Sequence, residues 1–282
     1  MIRTTLFLSL FASTAAFAGH RPFTLTPHHS AAAAPGEGPV NYYGGPVISH
    51  VKVHVIYWGA GVDSGTQNQL KAFYTGLVNS TYLDQLAEFS TKVRSVDGRE
   101  GTQQEIGRGT TGQTITITPV NPAKNLTQAD VEQELEAQIA SGALPKPDAD
   151  SLYMLHFPDG YGISISFGRS CETWFADHEV YRSAKFGSVY YALFPCDSYD
   201  SSNFATLTFA ASHELEEAVS DPMSPLQNEP NIFPAGWLRA DGQEIGDLCT
   251  STRSSLHAGG VDYSVNPAWL NSLGGCNVVD FQ

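Results

Sequence analysis

The stretch that most restricts what this chain can fold into runs from Asn203 to Ser220 and is closed by Asp221-Pro222. Its pattern predicts a helix, and Pro222 ends it because proline has no N–H to donate and its ring clashes with the preceding turn. From Asn203 to Ala211 no residue is charged on any face, so this half must be buried nearly all round. The second half carries His213, Glu214, Glu216 and Glu217, with Asp221 just beyond. At about 100° per residue, Glu217 lies roughly 40° from His213, Asp221 roughly 80° and Glu214 roughly 100°. Leu207, Ala211, Leu215 and Ala218 face the other way. One face is therefore expected to pack on a sheet, and the other to line a cleft.

The rest of the chain supplies that sheet. Strands are expected at Val47 to Trp58, Gln113 to Pro119, Ser151 to Phe157, Ser188 to Pro195 and Val278 to Phe281, from alternation or from β-branched and aromatic enrichment. Ser188 to Pro195 is almost wholly apolar and aromatic, which predicts a central position. Helices are expected at Gln67 to Val78, Thr81 to Phe89 and Thr127 to Ala140, the last with Val131, Leu135 and Ile139 four apart. Interleaved strands and helices predict a three-layer α/β domain with a mixed sheet over residues 47–282. Residues 222–262 read as loop. Residues 19–46, rich in Gly, Pro, Ala and His, read as a flexible arm or pro-segment.

Residues 1–18 combine Arg3, an apolar run from Leu6 to Phe11 and the small-x-small site Ala16-Phe17-Ala18, which reads as a secretory signal peptide. An extracellular location follows as the expectation. With 15 Lys+Arg against 29 Asp+Glu, the net charge is −14. That field argues against nucleic acid or an anionic membrane surface as partner. In an exported chain, Cys171, Cys196, Cys249 and Cys276 suggest two disulfides. Three connectivities are possible. Nearest-neighbour pairing, Cys171–Cys196 with Cys249–Cys276, would tie the segment around Glu244 and Asp247 to the C-terminal strand.

The acids of the 203–220 helix crowd its C-terminus, where the macrodipole is negative and each misplaced acid costs about 0.3–1 kcal/mol. Glu217 and Asp221 also repel each other across one turn. A bound cation would offset both effects. His213-Glu214-x-x-Glu217 resembles the zincin motif, in which two histidines bind zinc and the glutamate activates water. Here Glu217 stands where that motif has its second histidine. A harder, more negative site follows, so a divalent metal is expected, with zinc first and calcium or manganese as alternatives. Glu244 and Asp247, on a loop anchored by Cys249, are the candidate further ligands. His178, read as a loop residue, and Asp221 are possible additions. The competing reading of the helix is an ordinary wet acidic face, and that of Glu244 and Asp247 is two exposed loop acids.

Ala-Ser-His-Glu-Leu-x-Glu-Ala-x-x-Asp-Pro from Ala211 to Pro222 is followed by Gly236-Trp237 and by Glu-Ile-Gly-Asp-Leu-Cys from Glu244 to Cys249. Gly44-Gly45-Pro46-Val47 opens the strand that ends in Tyr57-Trp58-Gly59. Together, over residues 44–282, these blocks resemble secreted bacterial and fungal relatives of the EXORDIUM-like, phosphate-induced family. The resemblance implies a secreted domain of zincin-like cast. Plant members are associated with cell-wall growth and signalling, which implies a non-catalytic alternative. Two functions are therefore expected. One is a secreted metal-dependent hydrolase acting on a protein or peptide, with His213, Glu217, Glu244 and Asp247 as metal ligands and Glu214 as general base. The other is an extracellular binding or signalling protein with a structural cation site.

Overall fold

The computed structural model describes residues 38–196, 204–223 and 234–282. The expected signal peptide and residues 19–37 of the expected arm lie outside the described residues. Five strands form the main sheet: β1 (Lys52–Trp58), β2 (Thr110–Ile117), β3 (Ser151–His156), β4 (Asp177–Ser183) and β5 (Gly187–Phe194). Their order is β2-β1-β3-β5-β4. β1, β2, β3 and β5 run parallel, and β4 pairs antiparallel with β5 at the edge. The helices α1 (Ser64–Leu77) and α2 (Thr81–Asp84) join β1 to β2, α3 (Gln128–Ser141) joins β2 to β3, and α4 (Phe204–Ser220) follows β5.

Side-chain alternation along each strand divides the core in two. Val53, Val55 and Tyr57 join Met154, Ala192 and Phe194 under α1 and α4, with Leu70, Phe73, Leu207, Ala211 and Leu215. Ile56, Trp58, Tyr153, Leu155, Tyr191 and Leu193 pack on the other face with Val131, Leu135 and Ile139 of α3. A sheet with helices on both faces is the expected three-layer, mixed α/β arrangement, and burial of both faces explains why its strands read as apolar runs. The expected strands and helices appear with ends shifted by a few residues. Thr127 caps α3 through a reciprocal capping box with Asp130, and Gly142 ends it at φ 79. The Thr81 to Phe89 helix divides into α2 and a 3₁₀ turn, Gln85–Phe89. Among the described residues, no helix is long and apolar enough to cross a membrane.

Four expectations need correction. The first concerns Asp177–Ser183, which is itself a strand, β4, the edge partner that leaves β5 flanked on both sides, as the apolar run Ser188 to Pro195 predicts. His178 is therefore on a strand rather than in a loop. Residues 222–262 are not loop throughout: β6 (Ser254–Ala258) and β7 (Val261–Val265) form a hairpin over Gly259-Gly260, at φ 60 and 80. A Gly-Gly pair between two short runs is the sequence signal for such a turn. The arm ends earlier than residue 46. Val40 and Tyr42 are buried, and Asn41–Tyr42 pairs with Trp237–Leu238. Finally, α4 has no wet face, since every residue from Leu207 to Ser220 is buried.

Both nearest-neighbour cysteine pairs are at disulfide distance. Cys171 and Cys196 have Cα atoms 5.3 Å apart, and Cys249 and Cys276 have theirs 5.7 Å apart. The second bridge holds the 3₁₀ turn Asp247–Cys249 against Gly275–Cys276.

Candidate metal centre

Three elements bring the charged groups together. α4 contributes His213, Glu214 and Glu217, β4 contributes His178, and the loop before Cys249 contributes Glu244 and Asp247. All except Asp247 are buried, and its side chain is only 11% exposed. His213 Nε2 lies 3.1 Å from Glu217 Oε2 and 4.0 Å from Asp247 Oδ1. His178 Nδ1 lies 3.3 Å from Glu214 Oε2 and 3.8 Å from Glu217 Oε2, and its Nε2 lies 3.6 Å from Glu244 Oε1. Two donor sets result, His178–Glu217–Glu244 and His213–Glu217–Asp247, and the ligand atoms of each lie within 4.8 Å of one another. Either could hold a metal ion.

The loop is held where it is by contacts to the helix. Asp247 N–H donates to Glu217 Oε1 at 2.9 Å, and Glu244 N–H to Asp247 Oδ2 at 3.4 Å. Gly246 is at the closest approach. A Cβ there would stand 2.8 Å from His213 Nδ1 and 2.9 Å from both Glu216 Oε1 and Glu217 Oε1. Only a residue without a side chain lets the backbone come this near to the helix.

Burial would push the His213 imidazole down, but the Glu217, Glu214 and Asp247 carboxylates around it raise it to about 10. His213 thus sits in a field that demands positive charge, whether from a proton or from a metal. His178 has its Nε2 within 3.3 Å of the Asp221 carbonyl. An Nε2–H donated there leaves the Nδ1 lone pair facing Glu214 and Glu217. Metal-bound histidines are commonly held in this way by a backbone carbonyl on the far nitrogen.

The structure thus gathers six of the residues singled out from the sequence, His213, Glu214, Glu217, Glu244 and Asp247 together with His178, one of the two possible additions. Asp221 is in neither donor set. Its Oδ1 accepts the Gly236 N–H at 2.7 Å, fixing the chain beyond α4, and its carbonyl faces His178 Nε2. The sequence reading missed a neighbouring network on Glu216. Tyr82 and Asn266 both donate to the Glu216 carboxylate, and Asn266 also donates from Nδ2 to the Gly246 carbonyl at 3.1 Å and from N–H to Ser212 Oγ at 2.8 Å. Burial pushes Glu216 up to about 8 against the pull of those hydrogen bonds. An acid predicted in a helix buried all round is the signal that could have found this network, because a buried carboxyl needs partners.

No family model matches the chain, and no curated protein or solved structure matches it.

Proposed function

We propose that the chain is an exported metalloprotein whose buried His/carboxylate centre binds a divalent cation to lock α4, β4 and the Glu244–Asp247 loop together. In this reading it is an extracellular binding or signalling protein, in keeping with the EXORDIUM-like resemblance. The observation that carries it is burial. His178, His213, Glu214, Glu217 and Glu244 are all closed off from solvent, and a catalytic centre needs an open position for water and substrate. The donor set fits a metal on chemical grounds. Two imidazoles with several carboxylates suit zinc or manganese, and the second imidazole, His178, moves the preference away from calcium, which takes oxygen ligands. Zinc is the first choice.

A second reading, a metal-dependent peptidase, has one observation in its favour. Glu214 is held at the centre, its Oε2 3.3 Å from His178 Nδ1, at the motif position of a general base. There Glu214 would take the proton of an attacking water once the Asp247 side of the centre opened.

Elemental analysis of the purified protein, with thermal unfolding before and after chelation, tests the first reading. Bound metal and a melting temperature lowered by roughly 5–10 °C on chelation are expected, since a ligand at 100 times its Kd adds about 2.7 kcal/mol. A metal-free protein indifferent to chelator would refute it. Chelator-sensitive hydrolysis of an unfolded protein substrate, abolished in Glu214→Gln, would replace it with the second.

A further inference from the structure

The two donor sets share one residue, and on one oxygen of that residue they meet. Glu217 Oε2 lies 3.1 Å from His213 Nε2 and 3.8 Å from His178 Nδ1. Its other oxygen, Oε1, is held by the Asp247 N–H. The carboxylate therefore has a fixed orientation, with Oε2 placed between two imidazoles that arrive from different elements. Each imidazole has its own further carboxylate, Asp247 beside His213 and Glu244 in one donor set with His178 and Glu217. We infer that the centre holds two divalent cations, one in His213–Glu217–Asp247 and one in His178–Glu217–Glu244, bridged by the Glu217 carboxylate.

Charge supports the pair over a single ion. Ionised, Glu214, Glu217, Glu244 and Asp247 bring four negative charges, and both histidines are neutral as ligands. One divalent ion leaves two negative charges in a site almost shut off from water, where an uncompensated charge is strongly disfavoured. Two divalent ions balance the set. The competing arrangement keeps one ion in the His178 set and a proton on His213, which then pairs with Glu217 and Asp247 as an imidazolium. The two arrangements differ in stoichiometry and in whether the ions are coupled.

This inference rests on the cation-centre reading above, and its test separates the two. Chelator-stripped full-length protein is titrated with Zn²⁺ and weighed by native mass spectrometry, with elemental analysis of the product. Two ions per chain are expected. Asp247→Asn should retain the His178 ion alone, Glu244→Gln the His213 ion alone, and Glu217→Gln should weaken both. Folding of each variant is checked by circular dichroism. The wild-type stoichiometry stands as a result even where a variant does not fold. Loaded with Mn²⁺, the wild-type protein should give the electron paramagnetic resonance of a coupled pair. A single equivalent of metal, or the six-line spectrum of isolated Mn²⁺, overturns the bridged pair and leaves the structural cation reading intact. No bound metal overturns both.

Discussion

Gly246→Ala tests whether the loop carrying Glu244 and Asp247 seats against α4. Gly246 has φ −76 and ψ −43, a conformation that alanine adopts without strain. By backbone effects alone, the substitution should stabilise the protein by about 0.4–1 kcal/mol, because it restricts the unfolded chain. The surroundings reverse that sign. The new methyl would stand 2.8–2.9 Å from His213 Nδ1, Glu216 Oε1 and Glu217 Oε1, roughly 0.6 Å inside ordinary contact distance. All three side chains are buried in the helix face, so the loop must retreat rather than the neighbours. A retreat of that size would stretch the Asp247 N–H to Glu217 Oε1 bond, 2.9 Å here, to about the limit of a hydrogen bond. Overpacking costs about 1–3 kcal/mol. Loss of a hydrogen bond to a charged group costs about 1.5–3 kcal/mol. The net expectation is a destabilisation of about 2–5 kcal/mol, read as a melting temperature lower by roughly 5–15 °C, together with reduced metal content. Differential scanning calorimetry with and without chelator measures both the loss and its link to metal. Gly275→Ala is the control, since nothing lies within 4 Å of a Cβ there. A Gly246→Ala protein as stable as wild type, or more so, would show that the loop does not approach α4 as described and would remove Asp247 from the centre.

Two further outcomes follow from buried groups outside the donor sets. Tyr82→Phe removes a hydrogen bond to buried Glu216, whose value near 8 keeps it mostly protonated at neutral pH, and should cost about 0.5–1.5 kcal/mol in urea denaturation; an unchanged midpoint would mean that the hydroxyl does not support Glu216. Burial holds the His156 imidazole down at about 3, with its Nε2 3.0 Å from the Tyr74 hydroxyl and its ring stacked on Phe194. A folded value below the unfolded one favours the neutral form, so this contribution is fully present above about pH 6.5. It is lost as pH falls from there toward 3, at up to about 1.4 kcal/mol for each pH unit. His156→Phe should therefore lose stability at neutral pH, by about 1 kcal/mol for the Tyr74 bond, and show a shallower acid decline. Parallel stability profiles for the two proteins between pH 6.5 and 3 would contradict the assignment.

Much of the site is legible in the sequence because its parts are local. His213, Glu214 and Glu217 sit within about one turn of a helix, and helical spacing alone brings them near one another. Glu244 and Asp247 are held in a short segment ending at a cysteine, and the Cys249–Cys276 bridge fits that reading. His178 is not legible in this way. Its link to Glu214 spans the sheet pairing of β4 with β5, and its strand stays hidden unless the short turn before Gly187 is read as a hairpin. Ser183 Oγ accepts the N–H groups of Lys185 and Phe186 there, and Gly187 has φ 79, the chemistry of a tight turn. Tyr82 and Asn266 are invisible for the same reason, since they reach Glu216 across 134 and 50 residues of chain.

The sequence by itself determined the α/β class, the helix with its His-Glu-x-x-Glu stripe, where most strands of the main sheet fall along the chain and the residues that could bind a cation. Those follow from periodicity and from the chemistry of side chains, which are properties of neighbours along the chain. Only the tertiary structure decided that the stripe faces inward rather than into a wet cleft. Burial is a property of what other elements cover. Here β4, the Gly246 loop and the Tyr82–Asn266 network close over acids that the helical pattern had placed toward solvent. The same closure turns a likeness to a catalytic motif into the case for a buried cation centre.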